Sequence, residues 1–223
     1  MIAALLPPSV AVEEAYGDEG AAHLYPEERA LVADAVDARR REFATARACA
    51  RRAMARLGHA PLPVTSDAYG APRWPEGLTG SLTHCTGYRA AAVARSGDFA
   101  SLGIDAEPHT ALAPDVLRAV RLPTEEQRLD HLTRRHPGIH WGQLLFSAKE
   151  SVYKAWYPLT ATRLGFADAD LEFRTALGPE PHGTLSASLL VPGPVVAGRR
   201  LTRLEGRWAV RGGLVVTVVT VSG

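Results

Sequence analysis

The stretch from His140 to Tyr157 reads as one helix closed by Pro158, and it constrains what the rest of the chain can become. Proline has no amide hydrogen and its ring crowds the preceding turn, so a helical pattern that meets one normally ends there. On this helix lie the only two lysines of the sequence, Lys149 and Lys154, in the run Lys149-Glu150-Ser151-Val152-Tyr153-Lys154; the other 23 basic residues are arginine. Where arginine serves as the generic positive charge, two retained lysines mark a place that wants a compact ammonium rather than a flat guanidinium fork. Glu150 and Lys154 are four apart and share a helix face, at the least a surface pair. Lys149, Val152, Tyr153 and Trp156 form the neighbouring stripe, whose aromatics are most simply core.

The remaining pattern mixes helices with strands. Tyr25-Pro26-Glu27-Glu28 opens a helical stretch, proline and acids both suiting a first turn, and the pattern runs with a break near Asp37 to Leu57-Gly58. Phe43, Ala46, Cys49, Ala50, Ala53, Met54 and Leu57 share its apolar face. Segment 59–77 reads as loop, followed by strands within 78–82, 90–94 and 101–106. His109–Pro114 reads as a connector, and helices are expected at 115–120 and 124–135, the second opened by a capping-box pattern, Thr124-Glu125-Glu126-Gln127. Strands are expected at 170–174, 184–190, 201–210 and 214–221, the last two joined by Arg211-Gly212-Gly213. The fold class is therefore α/β (α+β).

Composition excludes several functions. A formal net charge of +1 gives no global field for nucleic acid or membrane binding. Met1–Val10 lacks a basic lead-in and carries Pro7-Pro8, so it does not read as a signal peptide, and no apolar run is long enough to span a bilayer. Cys49 and Cys85 form neither a disulfide framework nor a metal pattern, which fits a cytoplasmic protein. Seven arginines (Arg39, Arg40, Arg41, Arg47, Arg51, Arg52, Arg56) nonetheless crowd one helix, opposed within that span by Glu42 alone, and read as an anion-binding surface.

Three further runs can carry chemistry. In Gly103-Ile104-Asp105-Ala106-Glu107-Pro108, residues two apart on a strand point to one side, so Asp105 and Glu107 present paired carboxylates. Such a pair calls for a cation, and hard oxygens favour magnesium over zinc. Alone, the pattern is no more than a solvated strand end; Glu150 would supply a third carboxylate, with the two lysines gripping phosphate oxygens. Gly80-Ser81-Leu82-Thr83-His84-Cys85 is a strand running into a polar turn, in which His84 is placed to donate to a phosphate or a leaving group. A serine hydrolase built on Ser81, His84 and Asp105 is excluded, since no Gly-x-Ser-x-Gly elbow surrounds any serine.

Taken in order, Trp74-Pro75-x-Gly, Gly80-Ser81-Leu82-Thr83-His84-Cys85, Gly103-Ile104-Asp105-Ala106-Glu107-Pro108 and Phe146-Ser147-Ala148-Lys149-Glu150-Ser151-Val152-Tyr153-Lys154-Ala155-Trp156 resemble a 4′-phosphopantetheinyl transferase of the surfactin/enterobactin-synthetase type, in its actinobacterial form. The resemblance runs from about Arg39 to the C-terminal strands. It implies two similar α/β halves, residues 1–108 and 109–223, related by a pseudo-twofold with the active site between them in one continuous unit. It further implies that Asp105, Glu107 and Glu150 bind magnesium, with manganese as a possible substitute, and that Lys149 and Lys154 hold the pyrophosphate of coenzyme A. Arg39 and Arg47 match arginines that bind the coenzyme A phosphates, and Thr83 and His84 match the turn at the 3′-phosphate; Arg40 and Arg41 stand beside Arg39 and are equally available from sequence.

The resemblance implies attack by a serine of an apo acyl or peptidyl carrier protein on the β-phosphate, with 3′,5′-ADP leaving. The catalytic residues would be Glu150, Lys149 and Asp105, Glu150 as proton acceptor directly or through water, and Lys149 stabilising or protonating the leaving phosphate. A monomer with an arginine-bearing carrier-docking patch is expected. One departure stands out: no lysine precedes Gly70-Ala71-Pro72, where many relatives use one to hold phosphate. A non-catalytic protein that binds coenzyme A or carrier proteins, and a magnesium-dependent phosphohydrolase, are the alternatives.

Overall fold

The computed structural model describes residues 1–20 and 22–223. After a single 3-10 turn at Ile2–Leu5, the chain forms β1 (Ala11–Ala15), a short α1 (Pro26–Ala30), and the long α2 (Asp37–Arg56). A small hairpin, β2 (Thr65–Ser66) and β3 (Pro72–Arg73), precedes three longer strands, β4 (Leu78–Cys85), β5 (Tyr88–Arg95) and β6 (Phe99–Pro108). Three helices follow, α3 (Pro114–Val120), α4 (Pro123–Arg135) and α5 (Trp141–Thr160). The chain ends in β7 (Ala169–Thr175), β8 (His182–Leu189), the two-residue pair β9 (Val195–Val196) and β10 (Arg199–Arg200), then β11 (Arg203–Arg211) and β12 (Leu214–Ser222).

Two antiparallel sheets make the core. One has the order β1-β5-β4, the other β6-β12-β11-β8-β7. The apolar face anticipated on α2 packs on the first sheet, where Cys49, Ala50, Ala53 and Met54 meet Ala11, Leu78, Ala91 and Val93. The opposite side of that sheet, with Tyr88, Ala90, Ala92 and Ala94, packs on Leu102, Ile104, Ala106, Val216 and Val218 of the second. The far face of the second sheet carries α5, with Leu144, Leu145, Ala148, Val152 and Ala155 against Val215, Val219 and Trp208. β12, Leu-Val-Val-Thr-Val-Val-Thr-Val-Ser, is buried nearly throughout, as β-branched residues at the centre of a layered structure should be.

Where the sheets meet, β4 runs beside β6 without a ladder. Side chains replace it: Ser81 Oγ accepts from Ile104 N at 3.1 Å and Thr83 Oγ1 accepts from Ala106 N at 3.0 Å. The alternating Ser81-x-Thr83 pattern thus satisfies β6 amides that would otherwise be orphaned in the core. On the other side of β6, α5 lies unusually close. A Cβ on Gly103 would stand 1.9 Å from Ser151 O and 2.7 Å from Ala155 N, so only glycine fits. Ser101 Oγ donates to Ala155 O at 2.7 Å, and Ser151 Oγ and Ser147 Oγ lie 2.6 and 3.0 Å from Thr217 Oγ1. Small and hydroxyl side chains therefore fix α5 on β6 and β12.

Two local expectations change, and one strand was not anticipated. Pro158 does not end α5, which continues to Thr160 and stops at Ala161 in the left-handed region (φ 51°). Proline costs the helix one backbone bond there, but Ala161 N still reaches Tyr157 O at 2.8 Å. Segment 59–77 is not all loop, since it contains the β2–β3 hairpin. β1 lacked a turn-bounded pattern of its own and is formed by tertiary pairing with β5, Ala11 to Val93 through Ala15 to Arg89.

Candidate active site

A cavity of about 680 Å³ opens between the two sheets' helices, and most of the residues singled out in the sequence converge on it. Arg39, Arg47, Thr83, His84, Asp105, Glu107, Glu150 and Lys154 all line it. A slightly larger cavity, about 740 Å³, lies on the outer face of the C-terminal sheet beside Pro7 and Pro8, and none of these groups reaches it. The chemistry therefore belongs to the inner cleft.

The acids come from β6 and α5. Asp105 and Glu107 project from the end of β6 on the side that faces α5, and Glu150 faces them from the helix. Asp105 is buried; its Oδ1 takes Lys154 Nζ at 2.7 Å and Thr83 Oγ1 at 3.4 Å, while its Oδ2 is buried with no partner. Lys154 Nζ also donates to Ile104 O at 3.2 Å. Burial, then repulsion from Asp105 and Glu150, pushes the Glu107 carboxyl up to about 7, against the pull of Lys154. Burial also raises Glu150, with Lys154 opposing and Asp105 adding to the rise.

The site thus holds more negative charge than one ammonium neutralises, and one buried carboxylate oxygen lacks any partner. Hard oxygen donors with surplus negative charge fit a magnesium ion. Among the described residues, no three His, Cys, Asp or Glu side chains yet stand at metal-holding distance from one another, so the carboxylates would have to draw in around the ion.

The cationic wall comes from α2. Arg39 Nη1 donates to His84 Nε2 at 2.7 Å, which requires the ring unprotonated at that nitrogen. Burial first, and then Arg39, lower His84 and favour that neutral form. Arg47 is buried, stacked over the Phe43 ring at 3.9 Å, and donates to Val64 O at 2.8 Å and Ser66 Oγ at 3.1 Å. Burial brings its guanidinium down to about 10, still charged at neutral pH.

The remaining α2 arginines correct the anion-surface reading. Arg51 pairs with the buried Glu28 at 2.9 Å, Arg52 with Glu13 and Glu19, Arg56 with Glu13, Arg40 with Asp37, and Arg41 with Asp18 at 3.7 Å. Asp37 aside, the acids that neutralise them are distant in sequence, which a local count of charge does not register. The structure also separates Arg39 from its neighbours, as Arg40 and Arg41 do not line the cleft.

Lys149 requires a second correction. It does not join Lys154 in the cleft but lies buried on another side of α5. Its Nζ pairs with Glu125 Oε2 at 2.9 Å and donates to Phe166 O at 2.6 Å and Ala169 O at 3.3 Å. The reason is helical phase: five residues place two side chains about 140° apart, whereas four place Glu150 and Lys154 about 40° apart. Burial lowers the Lys149 pKa, with Glu125 acting against that shift. Glu125 in turn accepts from Leu122 N at 2.7 Å and Leu171 N at 2.9 Å, so the pair ties α4, α5 and β7 together.

Tyr153, read as core from its stripe, lines the cavity instead. Asp67, Tyr69 and Tyr157, which carried no sequence signal of their own, form its far wall. Only the neighbouring Gly70-Ala71-Pro72 marked that region in the sequence.

Comparison with known proteins identifies the family. Residues 27–94 match the family described as the 4′-phosphopantetheinyl transferase N-terminal domain, and residues 101–192 match the 4′-phosphopantetheinyl transferase superfamily. The chain is 55% identical over 225 residues to the 4′-phosphopantetheinyl transferase Svp of Streptomyces mobaraensis, covering 100% of this chain and 89% of that protein. It is 44% identical over 223 residues to PptT of Mycobacterium tuberculosis, covering 98% and 97%, and 45% identical over 224 residues to Npt of Nocardia iowensis, covering 98% and 99%. With the acids of β6 and the glutamate of α5 facing one cleft, and relatives of this similarity along its whole length, the chain belongs to the 4′-phosphopantetheinyl transferase superfamily.

Proposed function

We propose that this chain is a magnesium-dependent enzyme that transfers 4′-phosphopantetheine from coenzyme A to a serine of apo acyl or peptidyl carrier proteins. The family supplies the transfer; the metal, the residue roles and the partners are our reading. The observation that carries it is the convergence of Asp105, Glu107, Glu150 and Lys154 with Arg39, Arg47, Thr83 and His84 on one cavity, with Asp105 Oδ2 buried and unpartnered. Helix α2 on the first sheet and helix α5 on the second, each 20 residues long, support two similar halves, 1–108 and 109–223, about a pseudo-twofold.

In this reading Arg39 and His84 hold the 3′-phosphate end of coenzyme A, and Arg47 adds charge deeper in the wall. Lys154, which lines the cavity beside Asp105, would donate to a pyrophosphate oxygen. Asp105, Glu107 and Glu150 would hold magnesium, which supplies charge neutralisation to the pyrophosphate when bound. The serine Oγ forms a bond to the β-phosphorus as the bond from that phosphorus to the bridging oxygen breaks, and 3′,5′-ADP departs. Glu150, half-buried and with its pKa raised, accepts the serine proton directly or through one water. The residues' main work is positioning and charge stabilisation, which is what phosphoryl transfer asks of a protein. Lys149 acts by holding α5 to α4, not by touching phosphate.

The test is intact-mass spectrometry of an apo acyl carrier and an apo peptidyl carrier, each incubated with the protein and coenzyme A, with magnesium or with EDTA. A magnesium-dependent phosphopantetheine gain on a carrier is expected. Coenzyme A bound but never consumed would indicate a binding protein, and coenzyme A broken down without a carrier would indicate a phosphohydrolase.

A further inference from the structure

The β2–β3 hairpin closes one side of the cleft and is fastened to the rest of the chain by very little. Each strand contributes two paired residues, Thr65 to Arg73 and Ser66 to Pro72. The tip, residues 67–71, is folded around Asp67. Its backbone N donates to Ala71 O at 2.9 Å, and its Oδ1 accepts from Tyr69 N at 2.8 Å and Ala71 N at 3.0 Å, with Gly70 turning the chain at φ 84°. One carboxylate oxygen is therefore spent inside the loop.

The other leaves it. Asp67 Oδ2 accepts a hydrogen bond from Tyr157 Oη, on the last turns of α5, at 2.7 Å. Among the described residues, this bond and Arg47 to Ser66 Oγ are the hairpin's hydrogen bonds to the rest of the protein. The hairpin thus spans from α2 on one side of the cleft to α5 on the other. Tyr69, 69% exposed, meets the Tyr157 ring edge-on at 6.1 Å, and Tyr157 meets Tyr153 at 5.9 Å. Asp67, Ala68, Tyr69, Gly70, Ala71 and Tyr157 all line the same cavity as the acids.

We infer that the Asp67–Tyr157 hydrogen bond is a latch: made, it holds the hairpin across the cleft; broken, it frees the hairpin tip from α5 and opens the cavity. Tyr157 is a positioning residue that sets how long coenzyme A stays, leaving the chemistry at Asp105, Glu107 and Glu150 untouched. The two groups register the contact in their ionisation. The Tyr157 hydroxyl holds the Asp67 carboxyl below the usual carboxylate range, and Asp67 pushes the Tyr157 phenol up to about 12. The inference rests on reading the cavity as the coenzyme A site.

The test uses the full chain, wild type and Tyr157→Phe, with coenzyme A dissociation followed by stopped flow. A hydrogen bond to a charged acceptor is worth about a factor of ten or more, so dissociation should quicken about tenfold. KM for coenzyme A should rise by a similar factor, while the single-turnover rate from the saturated complex changes less than about twofold. Asp67→Asn exchanges the charged acceptor for a neutral partner and should release coenzyme A at a rate between those of wild type and Tyr157→Phe. In the ligand-free protein, amides of residues 67–71 should exchange faster with deuterium in Tyr157→Phe. Equal dissociation and equal exchange in Tyr157→Phe overturn the latch alone. A wild-type chain that does not bind coenzyme A overturns the cavity reading, and the latch falls with it.

Discussion

Replacing Lys149 by methionine separates a lysine that braces the fold from one that grips substrate. Its side chain is 3% exposed and that of Glu125 1%, at 2.9 Å, so the substitution strands a buried carboxylate. Breaking a buried pair from one side costs about 3–5 kcal/mol, because the surviving charge has lost both its partner and its water. Amide donors from Leu122 and Leu171 still reach Glu125, which places the expected loss toward the lower end. In a chain of this length each kcal/mol moves Tm by about 2–4 °C, so a drop of roughly 6–12 °C is expected. Adding Glu125→Gln to Lys149→Met removes the stranded charge and should recover part of it. The assay pairs thermal unfolding with KM for coenzyme A measured well below the lowered Tm, where KM should move less than about threefold. Lys154→Met also takes the ammonium from a buried carboxylate, Asp105 at 2.7 Å, but it should nearly abolish transfer at temperatures where the variant is still folded. An unshifted Tm in Lys149→Met, with coenzyme A affinity lost, would refute the assignment and return Lys149 to the phosphates.

Glu150→Gln should abolish carrier modification by intact mass while Tm stays within a few degrees of wild type; undiminished transfer would remove Glu150 from the mechanism. Gly103→Ala puts a methyl group 1.9 Å from Ser151 O, a backbone atom that cannot step aside. Such overpacking costs about 1–3 kcal/mol, and transfer should fall with Tm because α5 carries Glu150 and Lys154 away from β6. Glu14 gives a pH dependence. Burial raises its pKa, but hydrogen bonds from the Met1 ammonium, Tyr88 and Ile2 N outweigh that and hold it below the usual range. A group depressed on folding lends stability above its unfolded pKa and withdraws it as pH falls through the folded one. Unfolding followed at descending pH should therefore show wild type losing stability in acid, and Glu14→Gln should lack that portion of the loss.

Elements with strong local signals were legible in the sequence, and those that depend on distant partners were not. The apolar stripe of α2, Phe43 to Met54, and the β-branched β12 announce themselves by period and composition, and both are buried as read. β1 is five residues of Ala-Val-Glu-Glu-Ala whose strand character comes from pairing with β5. The ion pairs that neutralise α2 come from Glu13, Glu19 and Glu28, outside any local window on the helix, so an arginine cluster looked like a free anion surface. Asp105, Glu107, Glu150 and Lys154 share one cavity because strand and helix periodicity fix which side each one takes, and two such sides meet in the cleft. Lys149 shows where that logic should have been followed further. Its phase already placed it with Val152 and Trp156 on the stripe beside Glu150, and both of those are core. Reading both lysines toward the phosphates took them from their places in one short run, but a run is a line of residues and a helix is a cylinder. Where the two disagree, the 140° between positions 149 and 154 decides, as rotation about the axis determines which atoms can reach a substrate.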